Sequence, residues 1–279
     1  MSARQESLPA PARRRILRHE WDVLRVIAAT EFKLKYTTSA LGYVWSIVKP
    51  LSYFAVLWVV FGRFFKLGAV FEQYPLYLLI GIVLWTFFAD ASNLGMFSLV
   101  GRVELLRRLA FPRLVIPISA TLVSAITFVI NLLLIGAFIG ISHERPRLGW
   151  LLIPLLLLEL YAFIIGVSLI LATLFVRFRD VGQVWELALQ LLFYASPIIY
   201  PLGLLPAWAR TISMLNPFTQ VTQDVRALVI PDAPAGQILT APDVLGPYGR
   251  VFPILISVAV VIGGIALFRR EEPWFAERV

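Results

Sequence analysis

The chain has 279 residues, 59% of them hydrophobic and 15% charged, with a mean hydropathy of +0.81. A water-soluble domain carries about 25% charged and 45–50% apolar residues, so the composition excludes a soluble globule; 18 prolines and 17 glycines without a low-complexity tract exclude a disordered chain. The absence of cysteine removes disulfides, thiolate metal sites and cysteine nucleophiles, and His19 and His143 are too far apart in sequence to suggest zinc.

In chain order, Arg13–Tyr36 comes first. Leu17, Trp21, Leu24 and Ala28 recur at helical spacing, while Arg14, Arg18, Arg25 and Glu31 occupy other faces. This predicts an amphipathic helix in the inner interface, its basic side toward anionic lipid, within a cytoplasmic arm of residues 1–39. A plain positively charged stop before the first span is the alternative. No short apolar region with a small-residue cleavage site precedes the first span, so no cleaved signal peptide is expected.

Residues 40–279 then read as a transmembrane domain. About 20 apolar residues cross a bilayer as a helix. Six stretches qualify: Gly42–Phe61, Pro75–Leu99, Pro112–Ile141, Gly149–Val176, Val184–Pro201 and Val251–Phe268. The fold class expected is an all-α membrane protein. Lysine and arginine set its orientation. Seventeen lie in the N-terminal arm, in Arg102–Arg113, at Arg177 and Arg179, and in the tail; seven lie on the other side, and Lys49 falls inside a span. Both termini are therefore expected in the cytoplasm, and the net charge of +8 needs no nucleic acid.

The turn Gly101–Pro112 sets leucines 105, 106 and 109 against Arg102, Glu104, Arg107 and Arg108. A short helix there could dock a soluble partner, or could only enforce topology. The external stretch Leu202–Arg250 is long enough to be functional. Asn216 can cap a helix starting at Pro217, with Phe218, Val221, Val225, Leu228 and Val229 on one face; Pro206–Leu215, carrying Trp208, can form a shorter one. Following a span broken by Pro197 and Pro201, these helices (about 203–230) suggest a chain dipping back into the outer leaflet as a gate. Pro231–Pro247 reads as irregular.

Polar groups inside spans usually face a bundle interior or a cavity. Thr86, Asp90, Asn93 and Phe97 share a face of the second span, and Glu186, Gln190, Phe193 and Pro197 a face of the fifth. The stripe Thr121, Ser124, Thr127 and Asn131 is assigned to helix packing, and Gly136–Gly140 to close approach. Whether Asp90, Glu159 and Glu186 serve a pathway or hydrogen bonding stays open. Tyr43, Trp45, Tyr53, Phe193 and Tyr194 do not sit where an interfacial aromatic belt would put them. No nucleotide-binding loop, serine-nucleophile elbow, zinc-protease or DxD motif occurs, so any uphill transport takes its energy from elsewhere.

Four motifs in order carry a resemblance: Lys35-Tyr-Thr-Thr-Ser-Ala-Leu-Gly-Tyr-Val-Trp-Ser-Ile-Val-Lys-Pro50, Phe178-Arg-Asp180, Ser196-Pro-Ile-Ile-Tyr-Pro201 and Asn216-Pro217-Phe218. Together they resemble the permease subunits of polysaccharide-exporting type-2 ABC transporters, over nearly the whole chain. The resemblance implies six transmembrane helices with an interfacial helix and external re-entrant gate helices. It implies a multi-pass homodimer in the bacterial inner membrane, with two separate ATPase subunits that bind ATP and magnesium; this chain would be no enzyme and hold no cofactor. Arg102, Glu104, Arg107 and Arg108 would belong to the coupling helix, and Tyr43, Trp45, Tyr53, Phe193 and Tyr194 would line the channel. Lys35 or Lys49 would meet the diphosphate of a polyprenyl-linked glycan such as an O-antigen, teichoic acid or galactan, and Trp208, Phe218, Val221 and Val225 would belong to the external gate. Three other readings compete: a type-2 exporter of another cargo, an ion-coupled transporter using Asp90, Glu159 or Glu186, and a membrane enzyme acting on lipid-linked sugar.

Overall fold

The computed structural model describes residues 29–30, 44–70, 72–102, 112–142 and 144–275. Among them every regular element is helical. Helix α1 (Val44–Leu57) runs into a π-helical segment, Trp58–Phe64, and is followed by α2 (Leu67–Val70), α3 (Tyr74–Phe97) and α4 (Val115–Ile141). A 3-10 turn at Leu148–Leu152 leads into α5 (Ile153–Arg177), then α6 (Val181–Ala195), α7 (Ala207–Leu215), α8 (Pro217–Val229), α9 (Ala241–Leu245) and α10 (Val251–Glu271). Apart from Ala29 and Thr30, the expected interfacial helix lies outside the described residues.

Five segments are long and apolar enough to cross a membrane: Val44–Phe64, Tyr74–Phe97, Val115–Ile141, Leu148–Arg177 and Val251–Trp274. The remaining expected span differs. Val184–Pro201 is not one helix: α6 has 15 residues, or about 22 Å at 1.5 Å per residue, against a hydrocarbon core of about 30 Å. Pro197 explains the stop, because the residue before a proline is pushed out of the α region, and Ser196 is extended at φ −84°, ψ 145°. The chain continues through Ser196–Ile199 as buried non-helical backbone.

Helix α3 is the centre of the bundle. Its most apolar window is 78% buried, against 17% for the first span and 22% for the last. It is apolar around most of its circumference because α4, α5, α1 and α8 pack against it, and Asp90 and Asn93 mark the side they leave open. Phe87 stacks on Phe128 of α4 at 4.4 Å, Phe88 on Phe163 of α5 at 6.0 Å, and Trp85 meets Phe193 of α6 and Phe218 of α8 at 5.7 and 5.2 Å. Such ring pairs are worth about 0.5–1.5 kcal/mol each beyond area burial.

Lipid offers no hydrophobic drive between helices, so close backbone approach at small residues holds them together. That approach is at Gly166 of α5 and Gly264 of α10: a Cβ on Gly166 would lie 2.8 Å from the Val261 nitrogen, and one on Gly264 would lie 2.6 Å from the Gly166 oxygen. The Gly136–Gly140 pair, expected to pack closely, has nothing within 4 Å of either position. It sits on the exposed side of α4, and this expectation is corrected. The Thr121, Ser124, Thr127 and Asn131 stripe is buried, with the Thr121 hydroxyl 3.2 Å from that of Tyr161. Pro231–Pro247 is irregular except for α9, which carries a capping box between Thr240 and Asp243.

Overpacking a tight site costs about 1–3 kcal/mol. Gly166→Leu is therefore expected to lower the thermal unfolding midpoint and the folded yield in detergent, while Gly136→Leu leaves both near the parent's values. Equal behaviour of the two variants in a melting assay would contradict the assignment of the α5–α10 crossing.

Candidate functional site

The non-helical turn after α6 frees carbonyl groups inside the protein, where each needs a partner. They find them in three side chains. Arg226 of α8 is fully buried; its Nε donates to the Tyr77 oxygen at 3.0 Å, Nη1 to Pro197 at 2.7 Å and Nη2 to Ile198 at 2.9 Å. The guanidinium also lies 3.4 Å from the Tyr77 ring centroid. The Tyr74 hydroxyl donates to Ile199 at 2.8 Å, and the Tyr77 hydroxyl lies 2.9 Å from the Tyr200 oxygen and 3.1 Å from that of Pro197. Gly81 makes room: a Cβ there would collide with Arg226. The broken helix, the N-terminal half of α3 and helix α8 thus form one hydrogen-bonded block.

Helix α8 begins as the sequence predicts. The Asn216 side chain accepts from the Phe218 amide at 3.0 Å, with Pro217 at the first helical position. Phe218, Val221, Val225 and Val229 are buried. Three of the expected gate residues therefore anchor the helix, whereas Trp208 of α7 is exposed. The opposite side of α8 is also buried but polar. Gln220 donates to Asp224 at 2.7 Å, Arg250 pairs with Asp224 at 3.2 Å, and Glu159 of α5 interacts with Gln220, Asp224 and Arg250. Burial pushes the Asp224 carboxyl above the usual range, and Gln220 and Arg250 oppose that shift.

Toward the other end of the bundle, Lys49 of α1 and Asp90 of α3 form an ion pair at 2.9 Å. Both remain partly exposed on the open side of α3. Helix α1 turns Ser46, Pro50 and Phe54, four residues apart, into the core and leaves Trp45 and Tyr53 more than half exposed. Helix α6 leans on α3 through Trp185, whose indole donates to Ser92 at 3.2 Å, and through Phe193 against Trp85. Its outer side, with Glu186, Gln190 and Tyr194, is exposed. Trp45, Tyr53 and Tyr194 thus lie on surfaces that this chain does not cover, and Phe193 is half-buried. Tyr43 and Lys35 lie outside the described residues.

Arg102 is turned inward, its Nη1 donating to the Ile116 oxygen at 3.3 Å and to the Ser119 hydroxyl at 3.0 Å. It ties the 3-10 turn Val100–Arg102 to the start of α4. Glu104, Arg107 and Arg108 lie outside the described residues. Among the described residues no group of three metal-ligating side chains comes together.

The family model for ABC-2 type transporters matches residues 22–230, three-quarters of the chain. This chain belongs to that family. Among curated ABC-2 relatives, an O-antigen export system permease protein RfbA from Klebsiella pneumoniae is 31% identical over 75% of this chain and 80% of its own length. A protein of the same name from Myxococcus xanthus is 25% identical over 89% and 92%. The polysialic acid transport protein KpsM of Escherichia coli is 26% identical over 72% and 78%.

In this ABC-2 chain the residue that sequence reasoning missed is Arg226, counted only as an external charge. A signal was present: an arginine beside the apolar stripe of α8, following a proline-broken span that must find donors. Removing a partner from a buried carbonyl costs about 1–3 kcal/mol. Arg226→Lys, which keeps the charge but loses the planar fork, should lower the thermal unfolding midpoint sharply, and Arg226→Met further still. An unchanged midpoint in either variant would count against the block.

Proposed function

We propose that two copies of this chain form the membrane channel of an ATP-driven exporter whose cargo is a polysaccharide carried on a polyprenyl diphosphate. The observation that carries this reading is the pair of uncovered faces on α1 and α6. They present aromatic rings beside Lys49, Asp90, Glu186 and Gln190, a composition suited to neither lipid nor water alone. Relatives named for O-antigen export and polysialic acid transport supply the cargo class. Aromatic faces stack on sugar rings and the interspersed polar groups hydrogen-bond hydroxyls, so a second copy would close these faces into a tunnel.

In this reading both termini are cytoplasmic, in keeping with the seventeen basic residues on that side, and Ser196–Pro201 completes the crossing that α6 begins. The outer block with α7 and α8 is the external gate. Arg102, Glu104, Arg107 and Arg108 belong to the segment through which a separate ATPase, holding ATP and magnesium, drives the channel. Lys35 and Lys49 receive the diphosphate near the inner mouth.

The chain should co-purify from its native membrane in mild detergent with a soluble ATPase in equal amount, and glycan export should stop when that ATPase loses its nucleotide-binding lysine. Activity in vesicles lacking ATP would instead support ion coupling. Because the sequence has no cysteine, cysteine scanning starts from a silent background. Cysteines at Trp45, Tyr53 and Tyr194 should react with a water-soluble thiol reagent, while those at Leu133 and Leu155 on lipid-facing sides should not. The ion pair is tested by exchange: Lys49→Glu should abolish export, and combining Lys49→Asp with Asp90→Lys should restore folding but not export. Recovery of export in the exchanged protein would reduce Lys49 to a structural role.

A further inference from the structure

The opposite end of the first span holds a feature that the export reading does not use. Trp58–Phe64 is a π-helical segment of seven residues, longer than the single-turn π-bulges that often mark functional sites. Two residues on, Lys66 has φ 58°, the one positive-φ position other than glycine among the described residues. Side chains rarely accept this region. Together these irregularities shape a cavity of about 370 Å³ between the segment, the loop and the start of α3, lined by Trp58, Gly62, Arg63, Lys66, Gly68 and Pro75.

The lining contains two cations and no carboxylate. Neither Arg63 nor Lys66 is within ion-pair distance of an acidic group among the described residues. The Arg63 guanidinium lies 5.1 Å from the Trp58 ring centroid, and a stacked guanidinium keeps its in-plane donors available. The α3 N-terminus opens beside it and adds partial positive charge. Gly62 and Gly68 keep the loop close: a Cβ on Gly68 would lie 3.1 Å from the Gly62 oxygen. Directly beside the cations, Phe64 and Phe65 are 76% and 68% exposed, an apolar surface at the membrane boundary.

From this juxtaposition we infer that Arg63, Lys66 and the Trp58 ring form a binding site for the phosphate of a membrane lipid in the leaflet opposite the N-terminal arm, with its chains along Phe64 and Phe65. The cavity holds a phosphate headgroup and not a whole lipid, so the chains lie outside it. Lysine supplies a point charge and arginine a planar fork, a pairing suited to phosphate oxygens. The site does not depend on which cargo crosses the protein.

The test is native mass spectrometry of the complete chain in detergent, titrated with phosphatidylglycerol, with phosphatidylcholine and with polyprenyl phosphate. Wild-type protein should retain phosphatidylglycerol or polyprenyl phosphate at least tenfold more tightly than phosphatidylcholine. Arg63→Gln with Lys66→Gln should remove that preference, Arg63→Lys with Lys66→Arg should retain most of it, and Arg145→Gln with Arg147→Gln, an equal loss of two charges on the same side, should leave it intact. Both cations are exposed, so the variants should fold, as judged by unchanged melting. Equal binding of the charged and zwitterionic lipids, equal loss in the Arg145→Gln, Arg147→Gln control, or full displacement of lipid by millimolar inorganic phosphate would overturn the assignment.

Discussion

A peptide carbonyl buried among apolar groups must be hydrogen-bonded by the protein itself, and after α6 one guanidinium, aided by two tyrosine hydroxyls, meets that requirement. Pro197 ends α6 well short of a full crossing, and the carbonyls of Pro197 and Ile198 then face Arg226 at 2.7 and 2.9 Å. Because Arg226 sits on α8, this necessity fixes α8 against the bundle. Because its third donor reaches Tyr77, α3 joins the same block. Gly81 is small for the same reason. The position of α8 therefore follows from one unmet set of backbone acceptors.

Around that block the chain divides into closed and open parts. Helix α3 is held by aromatic contacts with four neighbours, and α5 and α10 are locked by glycines that admit no side chain. Helices α1 and α6 contribute a narrow strip each to the core and leave the rest uncovered. The uncovered strips carry Lys49 and Glu186, and charged groups within a span need polar company. The rigid part holds the open part in position, an arrangement that suits an assembly completed by further subunits.

Much of this was legible in the sequence. Long apolar stretches gave the ends of five spans within a few residues, because length and hydropathy are local properties. The Asn216 cap and the apolar stripe of α8 were legible because spacing alone specifies them. What escaped were relations between distant residues. Lys49 and Asp90 are 41 positions apart, and nothing in either span announces its partner. The Gly136–Gly140 spacing is the familiar sign of close packing, yet Gly166 and Gly264 are used instead, since which face turns inward is decided by neighbours. Arg226 looked like one more external charge because burial of its helix depends on the turn after α6. Of the site residues, the aromatic rings were found by type, and their exposure came only from the fold.

The Lys49–Asp90 pair has a consequence for whatever passes along the open face. Two opposite charges 2.9 Å apart present no net charge at a distance, so the pair acts on a neutral group only as a small dipole. An anion that approaches closely can take the place of the carboxylate, and the lysine then exchanges one counter-ion for another without ever being left bare in a poorly solvated setting. The pair thus answers to charge and not to shape, a selectivity separate from the stacking that the surrounding rings offer.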